Sequence, residues 1–326
     1  MSYIINRINN LIGDSNPKIV FLGTPQFAVP ILEKLAQSEF KPVAVFCAPD
    51  KPVGRQQILT PPPIKLAAQK YDIPIFQPNR TSDFGLQTSY LKPDLIISAA
   101  YGLILPKDIL NSPKYGCLNI HPSLLPKYRG PSPIQAAILN GDSETGVTIF
   151  KMDENVDTGP IIASQKIQLS PPRLTTPELS KILAELGAQL LYKILPDWLA
   201  GKITPKSQDE FQASWTEIIK KEDGLINWRK SAQEIERQIR AYQPWPGAFT
   251  KLKMKNEKLK IIEADILEKN TSKKIGELFL IDNSELAVQT GEDALIIKKL
   301  QLAGGKPLTT EDFLRGHPDI VGQILN

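Results

Sequence analysis

Hydrophobic and polar residues follow the periods of strands and helices over the first part of the chain. Residues 18–23, KIVFLG, form a continuous apolar run of strand length, and residues 25–37, PQFAVPILEKLAQ, carry apolar side chains at helical spacing. Further buried-strand patterns begin at Pro42, Pro93 and Gly116, separated by helical stretches. Because strands that are apolar on both faces are typical of covered sheets, this pattern predicts an α/β fold with a parallel sheet.

The pattern changes towards the end of the chain. Two more strands and a helix follow Gly146, and a polar stretch at 201–212, GKITPKSQDEFQ, then interrupts them. After a short helix at 231–240, short strand-like runs separated by turn residues suggest a small antiparallel barrel, of which the OB-like barrel is one type. We therefore expect, in order, an N-terminal extension, an α/β domain, a linker and a second domain at residues 1–17, 18–200, 201–212 and 213–326.

The composition is that of an ordinary globular protein. The 326 residues are 41% hydrophobic and 23% charged, which is enough chain for two domains, and a net charge of +4 is too small to indicate nucleic acid by itself. No apolar run approaches the roughly 20 residues of a membrane span, so we expect a cytoplasmic protein without a membrane partner. Cys47 and Cys117 lie in apolar runs without a CxxC spacing, which favours buried thiols over a disulfide or a zinc site.

Candidate chemistry centres on residues 117–130, CLNIHPSLLPKYRG. Asn119 and His121 are two residues apart, so in a strand their side chains point to the same side, near the carboxyl edge where this fold class places its sites. Asp157, in the loop KMDENVDTGP, would bring a carboxylate to that edge. An amide, an imidazole and a carboxylate together suit acyl transfer to an amine, because the reaction needs an oxyanion donor and a base.

The residues alone leave other interpretations open. His121 could be a hydrogen-bonded structural residue, and Asp153 and Asp157 could be turn formers. A thiol nucleophile at Cys117 is disfavoured, since no second histidine is near it in the sequence.

The same residues resemble the methionyl-tRNA formyltransferase family. The similarity lies in LNIHPSLLPKYRG, with MDENVDTGP downstream and KIVFLGTPQFAVP in front, and it continues through APDKPVGR, SAAYGLILP, PIQAAILNGDSETGVTI and AYQPWPGAFT in the same order. The resemblance implies a Rossmann-like formyltransferase domain followed by an OB-like domain. It also implies transfer of the formyl group of 10-formyltetrahydrofolate to the methionine amine of initiator methionyl-tRNA, without a metal.

The resemblance assigns roles to individual residues. Asn119, His121 and Asp157 match the catalytic positions of the family. The segment that contacts the folate is matched by Ser123, Leu124, Leu125 and Pro126. The expected walls of the pterin pocket are the loop 153–157 together with Tyr101, Gly102, Leu103, Ile104 and Leu105.

The expected tRNA contacts are basic residues in two places. Lys51 and Arg55 lie in a loop that corresponds to the family's loop at the tRNA acceptor end. Lys251, Lys253 and Lys255 alternate with apolar residues, which predicts a strand with a basic outer face, although a solvated edge strand protected by lysines would give the same pattern. We expect a monomer, and the N-terminal extension has no assigned role.

Three other classes of protein are alternatives: other formyltransferases, a nicotinamide dehydrogenase and a non-enzymatic RNA-binding module. Glycinamide ribonucleotide formyltransferases resemble only the first domain, whereas sugar-nucleotide formyltransferases also have a small second domain and share PWPGAFT loosely. A nicotinamide dehydrogenase would need a glycine-rich fingerprint after the first strand, which LGTPQF lacks. A non-enzymatic RNA-binding module would leave the alignment of Asn119 with His121 unexplained.

Overall fold

The chain forms two compact units. The computed structural model describes residues 16–54, 56–80, 83, 85, 88, 90–169, 173–252, 257–269, 271–282 and 285–325. The first unit comprises the chain up to Gly130, Glu144–Gln168 and Ser180–Thr216. The second unit comprises Pro131–Ser143, Leu169–Leu179 and the chain from Glu217 onward.

The elements of the described residues follow one another in an order close to the predicted one. The strands are β1 (Ile19–Gly23), β2 (Ala44–Phe46), β3 (Lys51–Val53), β4 (Ile58–Thr60), β5 (Ile75–Phe76), β6 (Leu95–Ala99), β7 (Cys117–His121), β8 (Glu144–Lys151), β9 (Ile161–Gln168), β10 (Ala248–Leu252), β11 (Glu257–Leu267), β12 (Leu278–Ile281), β13 (Glu285–Gln289), β14 (Ala294–Leu302) and β15 (Leu308–Thr309). The α-helices are α1 (Ala28–Ala36), α2 (Pro63–Lys70), α3 (Lys107–Leu110), α4 (Pro133–Asn140), α5 (Thr176–Leu199), α6 (Ala232–Ala241) and α7 (Thr310–Gly316). No helix within the described residues combines the length and the apolar content needed to cross a membrane.

A seven-stranded sheet in the order β5-β2-β1-β6-β7-β8-β9 is the centre of the first unit. The strands from β5 to β7 are parallel, and every residue of β1, β2 and β6 is buried, as expected for a sheet covered on both faces. The predicted parallel sheet is therefore confirmed for these five strands. The last two differ, because β8 runs antiparallel to β7 and β9 runs antiparallel to β8.

The carboxyl ends of the parallel strands meet at one edge of this sheet. The Thr24 hydroxyl, just after β1, donates to the Tyr101 carbonyl (3.3 Å) and accepts from the Ala48 amide (3.2 Å). The loops after β1, β2 and β6 are thereby joined. A Cβ atom at Gly23 would lie 2.6 Å from the Ala28 Cβ, so the turn from β1 into α1 requires glycine at this position.

An antiparallel sheet in the order β10-β11-β14-β13-β12, with β15 paired to β14, is the centre of the second unit. Ile235 and Ile239 of α6 share an apolar core with Leu259 and Leu300 of this sheet. The predicted antiparallel second domain is confirmed. Ladder hydrogen bonds between the described strands do not close the sheet into a barrel; single bridges join the C-terminal Leu325 and Ile324 to positions 252 and 277, near its two ends.

The boundary between the units differs from the predicted linker at 201–212. Lys206 exchanges two backbone hydrogen bonds with Ile161 of β9 (2.7 and 2.8 Å), and the Ser214 carbonyl accepts from the Arg129 amide (2.8 Å). These bonds make the whole segment up to Thr216 part of the first unit. The sequence of the segment is polar because its backbone pairs with a sheet edge and a loop while many of its side chains face solvent.

Candidate active site

Strand β7 positions the amide and the imidazole. It lies between β6 and β8, with Asn119 opposite Phe150 and His121 opposite Thr148. Because side chains alternate along a strand, Asn119 and His121 leave the same face at the carboxyl end of β7. His121 is buried and Asn119 is half-buried, and no described residue forms a hydrogen bond with the Asn119 carboxamide. That carboxamide is therefore available to a ligand.

Both ring nitrogens of His121 face a defined partner. Nε2 lies 2.9 Å from the Tyr128 carbonyl oxygen, and Nδ1 lies 3.5 Å from Oδ2 of Asp157. A carbonyl oxygen only accepts hydrogen bonds, so the tautomer that fits carries its proton on Nε2. Nδ1 is then the nitrogen without a proton, and it faces a carboxylate.

Asp157 lies in the loop that follows β8. Its backbone has φ 54°, a left-handed conformation that is uncommon outside glycine, and its Oδ2 accepts a hydrogen bond from the Gly130 amide (2.8 Å). Asp153 in the same loop is a turn former, since its Oδ1 accepts from the Asn155 amide (3.1 Å) and the Thr158 hydroxyl (2.7 Å). The turn interpretation therefore describes Asp153, whereas the Asp157 carboxylate faces the imidazole.

The turn at 128–130 holds both catalytic candidates through its backbone. The Tyr128 carbonyl accepts from His121, and two residues later the Gly130 amide donates to Asp157. Gly130 has φ 104°, and a Cβ there would lie 2.8 Å from the Thr216 carbonyl oxygen. Only glycine fits this position without displacing the turn.

Arg129, between these two residues, is a functional candidate that the sequence reasoning missed. Its side chain is only 1% exposed, and its two terminal nitrogens donate to both carboxylate oxygens of Glu210 at 2.8 and 2.7 Å. The guanidinium lowers the pKa of the Glu210 carboxyl below its usual range. Arg129 stood within the quoted motif, but Glu210 lay in the segment interpreted as a linker.

Two family models match the chain. The model described as "Formyl transferase" matches residues 17–195, and "Formyl transferase, C-terminal domain" matches residues 218–318. Methionyl-tRNA formyltransferase of Nitrosomonas eutropha is 42% identical over 303 residues, covering 92% of this chain and 95% of that protein. The enzyme of the same name from Bacillus subtilis is 40% identical over 311 residues, covering 94% and 97%. The chain belongs to the methionyl-tRNA formyltransferase family. The predicted family and enzyme class are therefore confirmed.

Solved structures share the fold of this family member at lower identity. An N-formyltransferase from Helicobacter canadensis, solved with folinic acid and dTDP-3-aminofucose, superposes with a TM-score of 0.63 at 22% identity, covering 86% of this chain and 98% of that one. HypX from Aquifex aeolicus, solved with tetrahydrofolic acid, gives a TM-score of 0.62 at 18% identity, covering 94% of this chain and 48% of that one. These similarities support the arrangement of an α/β domain followed by an antiparallel domain.

The segment that the family resemblance assigns to folate contact, residues 123–126, is tightly built. Ser123 is fully buried, and its hydroxyl donates to the Lys127 carbonyl (2.6 Å). The Thr148 hydroxyl donates to the Ser123 carbonyl (2.7 Å) and accepts from the Leu125 amide (3.0 Å). Leu125 is buried, Leu124 is half-buried, and the Leu125–Pro126 peptide bond is cis. Ser123 therefore supports the backbone of this segment, and its hydroxyl is engaged within the protein.

The second predicted folate segment, residues 101–105, has both buried and exposed side chains. Tyr101 and Leu105 are buried on either side of Gly102, Leu103 and Ile104, and Leu103 and Ile104 are 41% and 74% exposed. A salt bridge of 2.6 Å from Lys107 to Glu154 ties this loop to the loop of Asp157, and the Glu154 carboxylate raises the pKa of Lys107. The two predicted walls of the pterin pocket are thus neighbours.

The predicted tRNA contacts fall in both units. Lys51 is exposed in β3, which pairs with β4 in a hairpin whose six strand residues are all exposed. Lys251 is exposed in β10 and lies opposite Lys258 of β11, while its neighbour Leu252 is buried. Arg55, Lys253 and Lys255 lie outside the described residues.

The cysteines are buried, as predicted. Both are completely inaccessible, and burial raises the pKa of the Cys47 thiol to about 11 and that of Cys117 to about 12. A thiol that stays protonated is a poor nucleophile, so Cys117 does not suit covalent catalysis. Within the described residues, no group of three or more histidine, cysteine or acidic side chains could hold a metal ion.

Proposed function

We propose that Asn119, His121 and Asp157 are the catalytic groups with which this chain transfers the formyl group of 10-formyltetrahydrofolate to the methionine amine of initiator methionyl-tRNA. Membership of the methionyl-tRNA formyltransferase family supports the reaction. The observation that carries the residue assignment is the approach of His121 Nδ1 to Asp157 Oδ2 at 3.5 Å, at the strand end that also carries Asn119.

The reaction needs a donor for an oxyanion and an acceptor for a proton. The amine nitrogen forms a bond to the formyl carbon, the bond from that carbon to the folate nitrogen breaks, and a proton passes from the amine to the departing nitrogen. Asn119 has a carboxamide that no described residue engages, and it would donate to the oxygen of the tetrahedral intermediate. A single donor of this kind contributes about 3–4 kcal/mol of transition-state stabilisation.

His121 and Asp157 act together on the proton. With Nε2–H held by the Tyr128 carbonyl, Nδ1 is the basic nitrogen, and a proton placed on it is stabilised by the carboxylate at 3.5 Å. The proton of the amine can reach the pair at either group, since imidazole and carboxylate are both bases. The ring of His121 is buried and is oriented by its contacts with the Tyr128 carbonyl and the Asp157 carboxylate.

The formyl-folate is a substrate, and segments 101–105 and 123–126, which the family resemblance assigns to folate contact, suit its chemistry. Leu103 and Ile104 in one segment and Val156 in the loop of Asp157 expose apolar side chains, which suit contact with a flat ring system. The backbone at 123–126 is held by the Thr148 hydroxyl at the Ser123 carbonyl and the Leu125 amide, so the position of this segment does not depend on the ligand. We assign both segments, 101–105 and 123–126, to folate binding.

The tRNA would be bound by basic residues of both units. We assign Lys51 and Arg55 to the acceptor end by the family resemblance, and the exposure of all six strand residues of β3 and β4, Lys51 among them, supports this part. Lys251, Lys253 and Lys255 are assigned to the tRNA backbone, and Lys251, which is exposed, supports this part. The protein is proposed to act as a monomer in the cytoplasm, where charged tRNA is found, with catalysis in the first unit and the second unit as a tRNA-binding domain.

The reaction is tested by competition between acceptors. The protein is incubated with formyl-labelled tetrahydrofolate and a mixture of methionyl-tRNA, glycinamide ribonucleotide and an amino-sugar nucleotide. Label is expected on methionyl-tRNA, and label on another acceptor alone would overturn the proposed substrate. The residue assignment is tested by His121→Gln and Asp157→Asn, each expected to slow transfer by about 10²-fold or more. A wild-type rate in either variant would remove that residue from the catalytic groups.

A further inference from the structure

The Asp157 peptide is held by a side chain from a distant part of the chain. Gln208 Nε2 donates to the Asp157 carbonyl and to the Gly159 carbonyl, each at 2.8 Å. A primary amide has two hydrogens, so one is directed to each carbonyl. These bonds hold the backbone of Asp157, which is left-handed with φ 54° and whose carboxylate faces His121.

Gln208 is itself oriented by Arg129. Its Oε1 accepts from Nε (3.1 Å) and Nη2 (2.9 Å) of the guanidinium. The guanidinium has only donors and the two carbonyls are only acceptors, so a flipped amide would oppose donor to donor and acceptor to acceptor. Arg129 is fixed in turn by both oxygens of Glu210. The amide of Gln208 therefore has one orientation.

The contacts connect the catalytic groups in a closed path. The backbone neighbours of Arg129, Tyr128 and Gly130, bond to His121 and to the Asp157 carboxylate. Through Gln208 the Arg129 side chain also reaches the Asp157 backbone. Asp157 is thus held at its carboxylate by one end of the path and at its carbonyl by the other.

We propose that Gln208 is a positioning residue for Asp157 in formyl transfer, an inference that rests on the proposed function. Gln208 touches no reacting group; it holds the Asp157 peptide in the left-handed conformation that directs the carboxylate to Nδ1 of His121. Its side-chain hydrogen bonds within the described residues go only to Arg129 and to the two carbonyls. It is half-buried outside the apolar core, so its loss affects placement of the carboxylate more than folding.

The decisive variant is Gln208→Glu. Glutamate keeps the size of the side chain and one oxygen that can accept from Arg129. Its second oxygen replaces the amide nitrogen, so it faces the two carbonyl oxygens without a hydrogen to donate. We expect kcat to fall about 10- to 100-fold, because small displacements of a catalytic group have effects of this order. KM values for both substrates and the melting temperature should change little. Gln212→Glu is the matched control: Gln212 donates to the Asp209 carboxylate (2.8 Å) in the same segment, and kcat should stay at the wild-type value.

A double-variant experiment separates positioning from general support of the fold. If Gln208 acts through Asp157, then Gln208→Ala should lower kcat about 10-fold in the wild type but less than about 2-fold in an Asp157→Asn background. Equal losses in the two backgrounds, a wild-type kcat for Gln208→Glu, or losses that follow the folded fraction would each overturn the inference. Full activity of Asp157→Asn alone would instead remove Asp157 from the proposed catalytic groups.

Discussion

Arg129 in the first unit and Arg240 in the second are held by the same chemistry. Each guanidinium donates to both oxygens of a glutamate, Glu210 or Glu236, and each is supported by one further acceptor residue, Gln208 or the Leu174 carbonyl. The acid of Arg240 lies four residues earlier on the same helix, α6, whereas the acid of Arg129 lies 81 residues away. The Arg240 pair can form as soon as helix α6 forms. The Arg129 pair can form only after residues 208–210 pack against the loop that follows β7.

The comparison shows that the effect of an ion pair depends on which segments of the chain it connects. The Arg240 pair joins α6 to the residues before α5 and stabilises the second unit. The Arg129 pair joins a remote segment to the turn at 128–130, whose backbone bonds to His121 and Asp157, the proposed catalytic groups. Variants around the first arginine should therefore change turnover, and variants around the second should change stability.

The largest expected effect is on turnover in the first region. Asn119→Ala should lower kcat by about 10²- to 10³-fold with unchanged unfolding, because it removes the proposed oxyanion donor while leaving β7 intact. Steady-state kinetics and thermal unfolding measure the two quantities. Asn111→Ala, at an exposed position after α3, is the control and should behave as wild type. Wild-type turnover of Asn119→Ala would remove the carboxamide from the mechanism.

The second region should show the opposite result. Glu236 is 4% exposed, and Glu236→Ala leaves the Arg240 guanidinium without its acid, so we expect a loss of about 3 kcal/mol in the free energy of unfolding of the second unit. Denaturant unfolding followed in the second unit measures this loss. The exposed Glu292→Ala in the same unit should have almost no effect. A stable Glu236→Ala with low kcat would break the comparison between the two arginines.

Alkaline pH should affect the two units unequally, because both cysteines lie in the first unit. The folded state raises the pKa of Cys47 to about 11 and of Cys117 to about 12, so the folded protein holds these protons more tightly than the unfolded chain does. Stability is unaffected below about pH 9 and falls as pH rises from there to the folded pKa values, by about 1 kcal/mol per thiol at pH 10.

Cys47→Ala/Cys117→Ala should reduce this loss in the first unit. The measurement is the unfolding free energy at pH 8 and pH 10, compared with that of the wild type. Equal slopes in both proteins would show that the thiols do not contribute. The buried thiols should also react slowly with alkylating reagents until the protein unfolds.

The smallest effect is expected from an exposed lysine that belongs to neither arginine cluster. Lys51→Ala should leave turnover at saturating tRNA and stability unchanged, weaken tRNA binding several-fold, and lower the salt slope of binding by about 0.7–0.9. Lys41, exposed before β2 at the opposite edge of the sheet, is the control. An unchanged slope for Lys51→Ala would remove this lysine from the tRNA interface.

The sequence predicted those features of the structure that produce a pattern among neighbouring residues. The runs of β1 and β6 are apolar because both faces are buried, and the shared side of Asn119 and His121 in β7 follows directly from strand alternation. The direction of β8 could not be predicted, because an apolar run looks the same whether it pairs parallel or antiparallel. The family resemblance then supplied the role of Asp157, which its loop alone left open between turn and catalysis.

The parts that were missed depend on contacts distant in sequence. Gln208 and Glu210 meet Arg129 across 79 and 81 residues, so no local period records their partnership. Their polarity resembles that of a linker, and the segment was interpreted as one. The same cause hid the boundary at Thr216, since the backbone pairing of Lys206 with Ile161 has no signature in the side chains.

The placement of residues 201–216 has a practical consequence for dissecting the protein. A fragment that stops at residue 200 would carry His121, Asp157 and Arg129 but would lack Gln208, Glu210 and the carbonyl of Ser214. In that fragment the Arg129 guanidinium, which is 1% exposed in the whole protein, would be a cation without its carboxylate partner. Cleavage after Thr216 instead keeps every one of these partners on the same piece of chain.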